Sequence, residues 1–323
     1  MSYEKNRRYL QWIEVKEKIK RIFKSRSRGQ LSPAHSNLQI TSGLRELLGR
    51  NGKTFWKKIR HLGLKVLAPV LGLTLVIFCH VLSLMGIGEF STPIKIFNQQ
   101  PNVFCPADYT WTLWALVFLS VGRSLYYRYR YREDYYFVHL YDKLYFALNL
   151  LWMLCHIVWL VFLCKDHLLL SFVFLCGYLV CVSLMAFRQA DSVMMQQFQY
   201  EIGYAIGLHA AWVLVVLLIQ LSTLMGRFGV SGIGLIGILW AVIFSAIGLA
   251  ISYYFYRNYH NVAMVIPMSW TLLGIALKER QGSSFNQSEP FMAFIALAFL
   301  LAFLTYVLQI ELTNYRRKRS KSY

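Results

Sequence analysis

The sequence predicts an all-α, multi-pass membrane protein of about eight spanning helices with both termini cytoplasmic. Three observations carry that prediction. The 323 residues are 57% hydrophobic with a mean hydropathy of +0.43, well above the soluble average. Eight apolar stretches each match the thickness of a bilayer, and the basic residues between them fall mostly on one side. Open strand edges leave backbone groups unpaired in lipid, so helices are the spanning elements.

A hydrocarbon core takes about 20 apolar residues per helix. Stretches of that kind run over 66–86, 109–127, 144–164, 168–187, 202–224, 233–256, 261–277 and 290–310. Assigning the loops alternately to two sides puts 28 of the 34 Lys and Arg with the N-terminus. The other side receives Lys95, Lys165, Arg227, Lys278 and Arg280, while Arg123 stays inside a helix end. Basic loops remain cytoplasmic, so an even helix number fits, and it keeps Arg316-Arg317-Lys318-Arg319 inside. Lys278 and Arg280 run against this pattern and bear on the last two helices. The resulting organisation is a basic N-terminal region over 1–65, a helical bundle over 66–311 and a basic tail over 312–323.

Within the N-terminal region, residues 1–28 read as a basic amphipathic helix with Leu10, Ile13, Ile19, Ile22 and Phe23 on its apolar stripe. Such a helix lies on an anionic membrane surface. Residues 29–43 have linker composition, and a second basic stretch over 44–65 leads into the first span. No cleavable leader is visible, so the first span is expected to act as an uncleaved anchor. The net charge of +19 is read as topology plus attraction to anionic headgroups. Nucleic acid is not an expected partner, because no helix-turn-helix or zinc-ligand pattern is present. The alternation of Tyr and Arg from Arg123 to Arg132 reads as an interfacial anchor, with rings at headgroup depth and guanidinium groups on phosphates. Glycines 232, 234 and 237 offer close helix approach at the start of the sixth span.

Catalytic and metal signatures are missing: there is no HExxH, no GxSxG and no phosphate-loop lysine. The histidines at 35, 61, 80, 139, 156, 167, 209 and 260 are scattered over different segments, with no two on one helix face at ligand spacing. His80, His156 and His209 remain generic candidates for haem ligation. None of the six cysteines forms a CxxC pair, although Cys105 and Cys164 lie at one side of the membrane and could meet. The sequence therefore gives no catalytic residue, no metal site and no resident cofactor.

Polar groups inside a bilayer are costly and point to function. Asn149, Trp152, His156 and Trp159 are spaced by three, four and three, which puts them on one helical face. His209, Trp212 and Gln220 keep nearly one face of the fifth span. Two such stripes turned toward each other would line an aromatic pocket with a few hydrogen-bonding groups, suited to a planar amphipathic molecule. Ordinary interhelical packing with Trp as filler is the competing reading.

The stretch Pro106-Ala-Asp-Tyr-Thr-Trp-Thr-Leu-Trp-Ala-Leu-Val-Phe-Leu119 resembles the Pro-Ala-Gly-Tyr-Thr-Phe-Ser-Ile-Trp-Gly-Leu-Ile-Tyr segment of the tryptophan-rich sensory proteins. These are bacterial relatives of the translocator (peripheral benzodiazepine receptor) proteins. Asn149-Leu-Leu-Trp152 is similar to that family's Asn-x-x-Trp, and Trp270-Thr-Leu-Leu-Gly274-Ile275 to its Trp-Ala-Leu-Ile-Gly-Ile. His209-Ala-Ala-Trp212 with Gln220 aligns with its Tyr-x-Gly-Trp and following Asn, with Tyr, Gly and Asn replaced by His, Ala and Gln. The likeness runs over roughly 68–278. It implies a non-enzymatic receptor or carrier in the plasma membrane for a tetrapyrrole, a sterol or another small hydrophobic planar ligand. The cavity residues it implies are Tyr109, Trp111, Trp114, Asn149, Trp152, His209, Trp212 and Trp270, the rings stacking on the ligand and Asn149 and His209 orienting it. The expected partners are anionic lipid and that ligand, and a homodimer is compatible with the reading. A secondary transporter, or a scaffold working through residues 1–60, are the alternatives.

Overall fold

The computed structural model describes residues 52–86, 91–99, 102–130, 143–191, 202–230, 234–259, 261–278, 295–301, 303–305 and 308. The chain divides into two compact units, Met1–Leu64 and Lys65–Tyr323, and the second contains the bundle. The surface helix expected over 1–28, the linker over 29–43, Gly232 and the basic tail lie outside the described residues.

The described residues are mostly helical, without a strand among them. In order the elements are α1 (Gly52–Met85), α2 (Pro93–Asn98), a 3-10 turn (Asp108–Thr112), α3 (Leu113–Arg130), α4 (Lys143–Cys164), α5 (Leu168–Asp191), α6 (Tyr204–Arg227), α7 (Gly234–Tyr259), a second 3-10 turn (Val262–Met264) and α8 (Ile266–Lys278). Five segments are long and apolar enough to cross a membrane: Leu67–Met85, Leu144–Cys164, Leu168–Gln189, Tyr204–Arg227 and Gly234–Asn258. The other three expected spans take a different form. The stretch 109–127 opens as a tight 3-10 turn, a common device at helix starts, before α3 begins. The stretch 261–277 opens as a 3-10 turn before α8, and Pro267 sits in the first turn of α8, where its missing N–H leaves no helical bond unmade. The last one is represented by a short apolar helix, Ile295–Thr305.

α6 is the centre of the bundle. It packs on α3, α5, α7 and α8, and 89% of its apolar window is buried, against 44% or less for the other four. A helix apolar on every side is stable only when surrounded. α4 and α5 form the most extensive helix pair, joined by a turn of three residues. His167 N–H reaches Phe162 O at 2.9 Å and Asp166 N–H reaches Leu163 O at 2.8 Å, with Asp166 at φ 61°. This is the left-handed closure that ends many helices, with Asp in a position it tolerates. Gly234 also has a positive φ, 65°, and open space where a Cβ would stand. At this position the glycine serves the backbone at the start of α7 and not close helix approach.

Hydrogen bonds fix which helix ends lie together. Lys278 Nζ donates to Asn98 Oδ1 and Cys105 O at 3.2 Å each, and Arg227 bonds Gln99 and Asp166. At the opposite end Arg128 bonds Asn149 and Tyr145, and Asn261 Nδ2 donates to Gly203 O at 2.9 Å. Lys95, Lys165, Arg227 and Lys278 thus share one end of the bundle, and Arg128, Arg188 and Arg257 the other. All six cysteine thiols are free, so Cys105 and Cys164 do not pair.

Candidate functional site

The face of α4 that carries Asn149, Trp152, His156 and Trp159 is buried along its whole length, while Leu151 and Leu154 on the opposite face are exposed. It turns toward α6. Trp152 meets the His209 ring edge-on at 4.7 Å, and Trp159 Nε1 donates to Gln220 Oε1 at 2.8 Å. The two polar-aromatic stripes thus interlock. Gln220 completes its bonding with its amide nitrogen, which donates to Leu168 O and to the Ser171 hydroxyl of α5.

α3 brings Trp114 into the same cluster. Its ring lies 5.0 Å from His156, 5.9 Å from Trp212 and 6.0 Å from Trp159. Trp111 stacks on Phe97 at 5.0 Å and meets Trp212 edge-on at 6.0 Å. From α1, His80 stands 5.1 Å from Trp114 and 5.6 Å from His156. Tyr178 of α5 joins the two halves. It stacks on Trp152 at 5.6 Å, meets His156 at 5.3 Å and shares a short hydrogen bond with His209 Nε2. The rings touch one another directly, and Trp152, His156, Trp159, Tyr178 and Trp212 are almost wholly buried.

Six of the eight expected cavity residues therefore belong to one continuous cluster: Trp111, Trp114, Asn149, Trp152, His209 and Trp212. Tyr109 and Trp270 form a separate pair, edge-on at 5.6 Å. That pair marks where the start of α3 docks on α8. Trp270 Nε1 donates to Thr110 O at 3.2 Å, Ala107 N–H donates to Gly274 O at 3.2 Å, and the Thr110 hydroxyl occupies the place a Gly274 Cβ would take.

Three participants were not placed in the pocket from the sequence: His80, Tyr178 and Arg128. A signal existed for Tyr178, since Ser171, Leu175, Tyr178 and Val182 repeat at intervals of four, three and four and all are buried. Arg128 corrects an expectation. Its guanidinium was assigned to lipid phosphates, but it is buried, donating to Asn149 Oδ1 at 3.1 Å and Tyr145 OH at 2.7 Å. Arg123, Tyr126, Tyr129 and Arg130 are exposed as an interfacial anchor requires, and Arg123 lies over the Tyr127 ring at 5.5 Å. The scattered histidines also converge, His80 with His156. Even so, no group of three or more His, Cys, Asp or Glu among the described residues is placed to hold a metal ion.

The TSPO-like protein family matches residues 66–309. The chain belongs to this family. Neither the curated proteins nor the solved structures contain a match. For a TSPO-like protein the internal pairing is coherent. The motif at Pro106–Trp114 meets the one at Trp270–Gly274, and the motif at Asn149–Trp152 meets the one at His209–Trp212. Four stretches distant in the chain thus form two contacts, both centred on tryptophan.

Outside the membrane-spanning segments, Cys105 is held beneath α8. Burial pushes its thiol up from the ordinary range, with Lys278 nearby opposing that shift. It is a structural group of the loop and not a nucleophile.

Proposed function

We propose that this TSPO-like protein is a non-enzymatic receptor or carrier of the plasma membrane that binds a small planar, amphipathic molecule, tetrapyrrole- or sterol-like, within its aromatic cluster. Trp111, Trp114, Trp152 and Trp212 would stack on the ligand, Asn149 and His209 would orient it, and Tyr109 with Trp270 would flank the approach. Family membership supports a membrane protein that binds small ligands.

One observation carries the finer reading. Both nitrogens of His156, Nδ1 of His80 and Nε1 of Trp212 are fully buried in the ring cluster without a hydrogen-bond partner. Each such group costs about 1–3 kcal/mol, and an unsatisfied buried group in a native protein calls for an explanation. A flat ligand with donors and acceptors on its edge would meet these atoms while its faces replace the ring-to-ring contacts. The rings now in contact would part to admit it. In this reading the three shorter helices complete eight crossings, with both termini and anionic lipid on the side of Arg128, Arg188 and Arg257.

The test is quenching of intrinsic Trp fluorescence in detergent-solubilised protein titrated in parallel with protoporphyrin, haem and a sterol. Saturable quenching at micromolar ligand, weakened tenfold or more by Trp152→Ala with Trp212→Ala, is expected. Unchanged affinity in that double variant would remove the pocket.

A further inference from the structure

On the far side of α6 from the ring cluster lies an apolar groove of about 440 Å³. Ala210, Ala211 and Leu214 of α6 form its floor. Leu179, Ser183 and Phe187 of α5 form one wall, and Ala250, Ile251 and Tyr254 of α7 the other. Small residues on α6 and α7 leave the space, because α5 and α7 flank α6 and the methyl side chains of Ala210, Ala211 and Ala250 fill little of the gap between them. The rim is open: Val180, Leu184 and Tyr254 beside it are exposed at 57%, 46% and 52%. At these depths the surroundings of an exposed leucine are lipid chains.

The groove has a direction. Phe187 and Phe255, 4.9 Å apart, line it at the end where Arg188 and Arg257 emerge, both exposed. Arg188 continues the lipid-facing stripe of Val180 and Leu184 at four-residue spacing. Arg257 follows Ala250 and Tyr254 on the groove side of α7 by seven and three positions, and its NH1 is tethered to Tyr253 OH at 3.0 Å. From Leu179 to Phe187 the wall is about 12 Å tall at 1.5 Å per residue, close to one leaflet of a core about 30 Å thick. The groove therefore lies in the leaflet nearest the two arginines.

We propose that the groove holds one acyl chain of an anionic phospholipid from that leaflet, with its phosphate held by Arg188 and Arg257. An apolar slot of leaflet height beneath two cations matches a chain and its headgroup and no other membrane component as well. Basic positions at the mouth of an interhelical slot recognise anionic headgroups by charge, and Arg grips phosphate with more than one donor. Because none of the ring-cluster residues lines it, this site stands independently of the ligand proposed above.

Native mass spectrometry of the detergent-released full chain tests the site, with 1-palmitoyl-2-oleoyl phosphatidylglycerol and the matching phosphatidylcholine as probes. One tightly held phosphatidylglycerol is expected, preferred over phosphatidylcholine by roughly 25-fold if each arginine contributes as a juxtamembrane cation does. Arg188→Gln with Arg257→Gln should abolish the preference while chain binding persists. Ala250→Trp, filling the groove from its exposed rim, should release both lipids. A second readout avoids filling the groove: a Tyr254→Trp reporter should be quenched more strongly by brominated-chain phosphatidylglycerol than by its phosphatidylcholine counterpart, and equally by both in the arginine variant. Equal affinity for the two lipids in the parent protein, or a graded series of bound lipids that Ala250→Trp leaves unchanged, would overturn the proposal and mark ordinary annular lipid.

Discussion

Gln220 of α6 ties three helices at one point: its oxygen accepts from Trp159 of α4 at 2.8 Å, and its nitrogen reaches the start of α5 at Leu168 O, 3.1 Å away. Replacing the amide by the similar-sized side chain of leucine, Gln220→Leu, leaves the Trp159 indole N–H unmet and takes one bond each from Leu168 O and the Ser171 hydroxyl, which keep their own 3.2 Å bond to each other. A loss of about 2 kcal/mol is expected from the known strength of interhelical hydrogen bonds and unmet buried groups. Reversible unfolding in mixed micelles measures it, and a shift in Trp emission reports the freed indole.

Arg128 spans Asn149 and Tyr145 with two different nitrogens. Lysine carries the same charge at a single nitrogen and lacks the planar fork that meets the two acceptors from separate nitrogens. Arg128→Lys should cost about 1 kcal/mol, as should Tyr145→Phe. Because they act on one interaction, the double variant should cost clearly less than the sum of the two, which a double-mutant cycle reads directly.

Gly274 lies against the Thr110 hydroxyl and 3.0 Å from Pro106 Cβ, measured from an added Cβ. Gly274→Ala should destabilise by about 1–3 kcal/mol through overpacking. Thr110→Ala in the same chain should restore a large part of that loss. A melt of the four proteins in detergent decides it, and additive losses would show that the two positions do not compete for the same space.

Lys278 covers Cys105 by holding its carbonyl and Asn98. In a Cys164→Ala background, a water-soluble maleimide should react with Cys105 only after denaturation, since burial both hides the thiol and keeps it protonated. Lys278→Met should release the loop and speed labelling severalfold. Labelling that stays slow in this variant would show that burial under α8 holds the loop without the lysine.

The class of the fold and the residues of the central cluster were legible because lipid imposes simple rules. Runs such as Leu144–Cys164 and Leu168–Gln189 declare themselves by length, and the spacing of Asn149, Trp152, His156 and Trp159 declares a buried face. What spacing within one helix cannot reveal is which helices become neighbours. His80 carries no companion on its own helix, so its approach to His156 from α1 was not readable. Arg128 was read as surface because its sequence neighbours, Tyr126, Tyr129 and Arg130, are surface. Only the arrival of Tyr145 and Asn149 from α4 makes burial of a guanidinium tolerable. The start of α8 was marked by Pro267, a local signal outweighed by the apolar run around it.

The order of these contacts along the chain has a consequence for synthesis. Every described side-chain partner of His209, Trp212 and Gln220 lies earlier in the sequence: Trp111, Trp114, Trp152, Trp159, Ser171 and Tyr178. When α6 leaves the ribosome, the cradle that receives it has already been made, whereas the seam between Trp270 and Thr110 closes only when α8 follows. A chain truncated after residue 230 should then retain the core contacts but lack the clasp, which makes the last third of the protein the step that locks an assembly already formed by its predecessors.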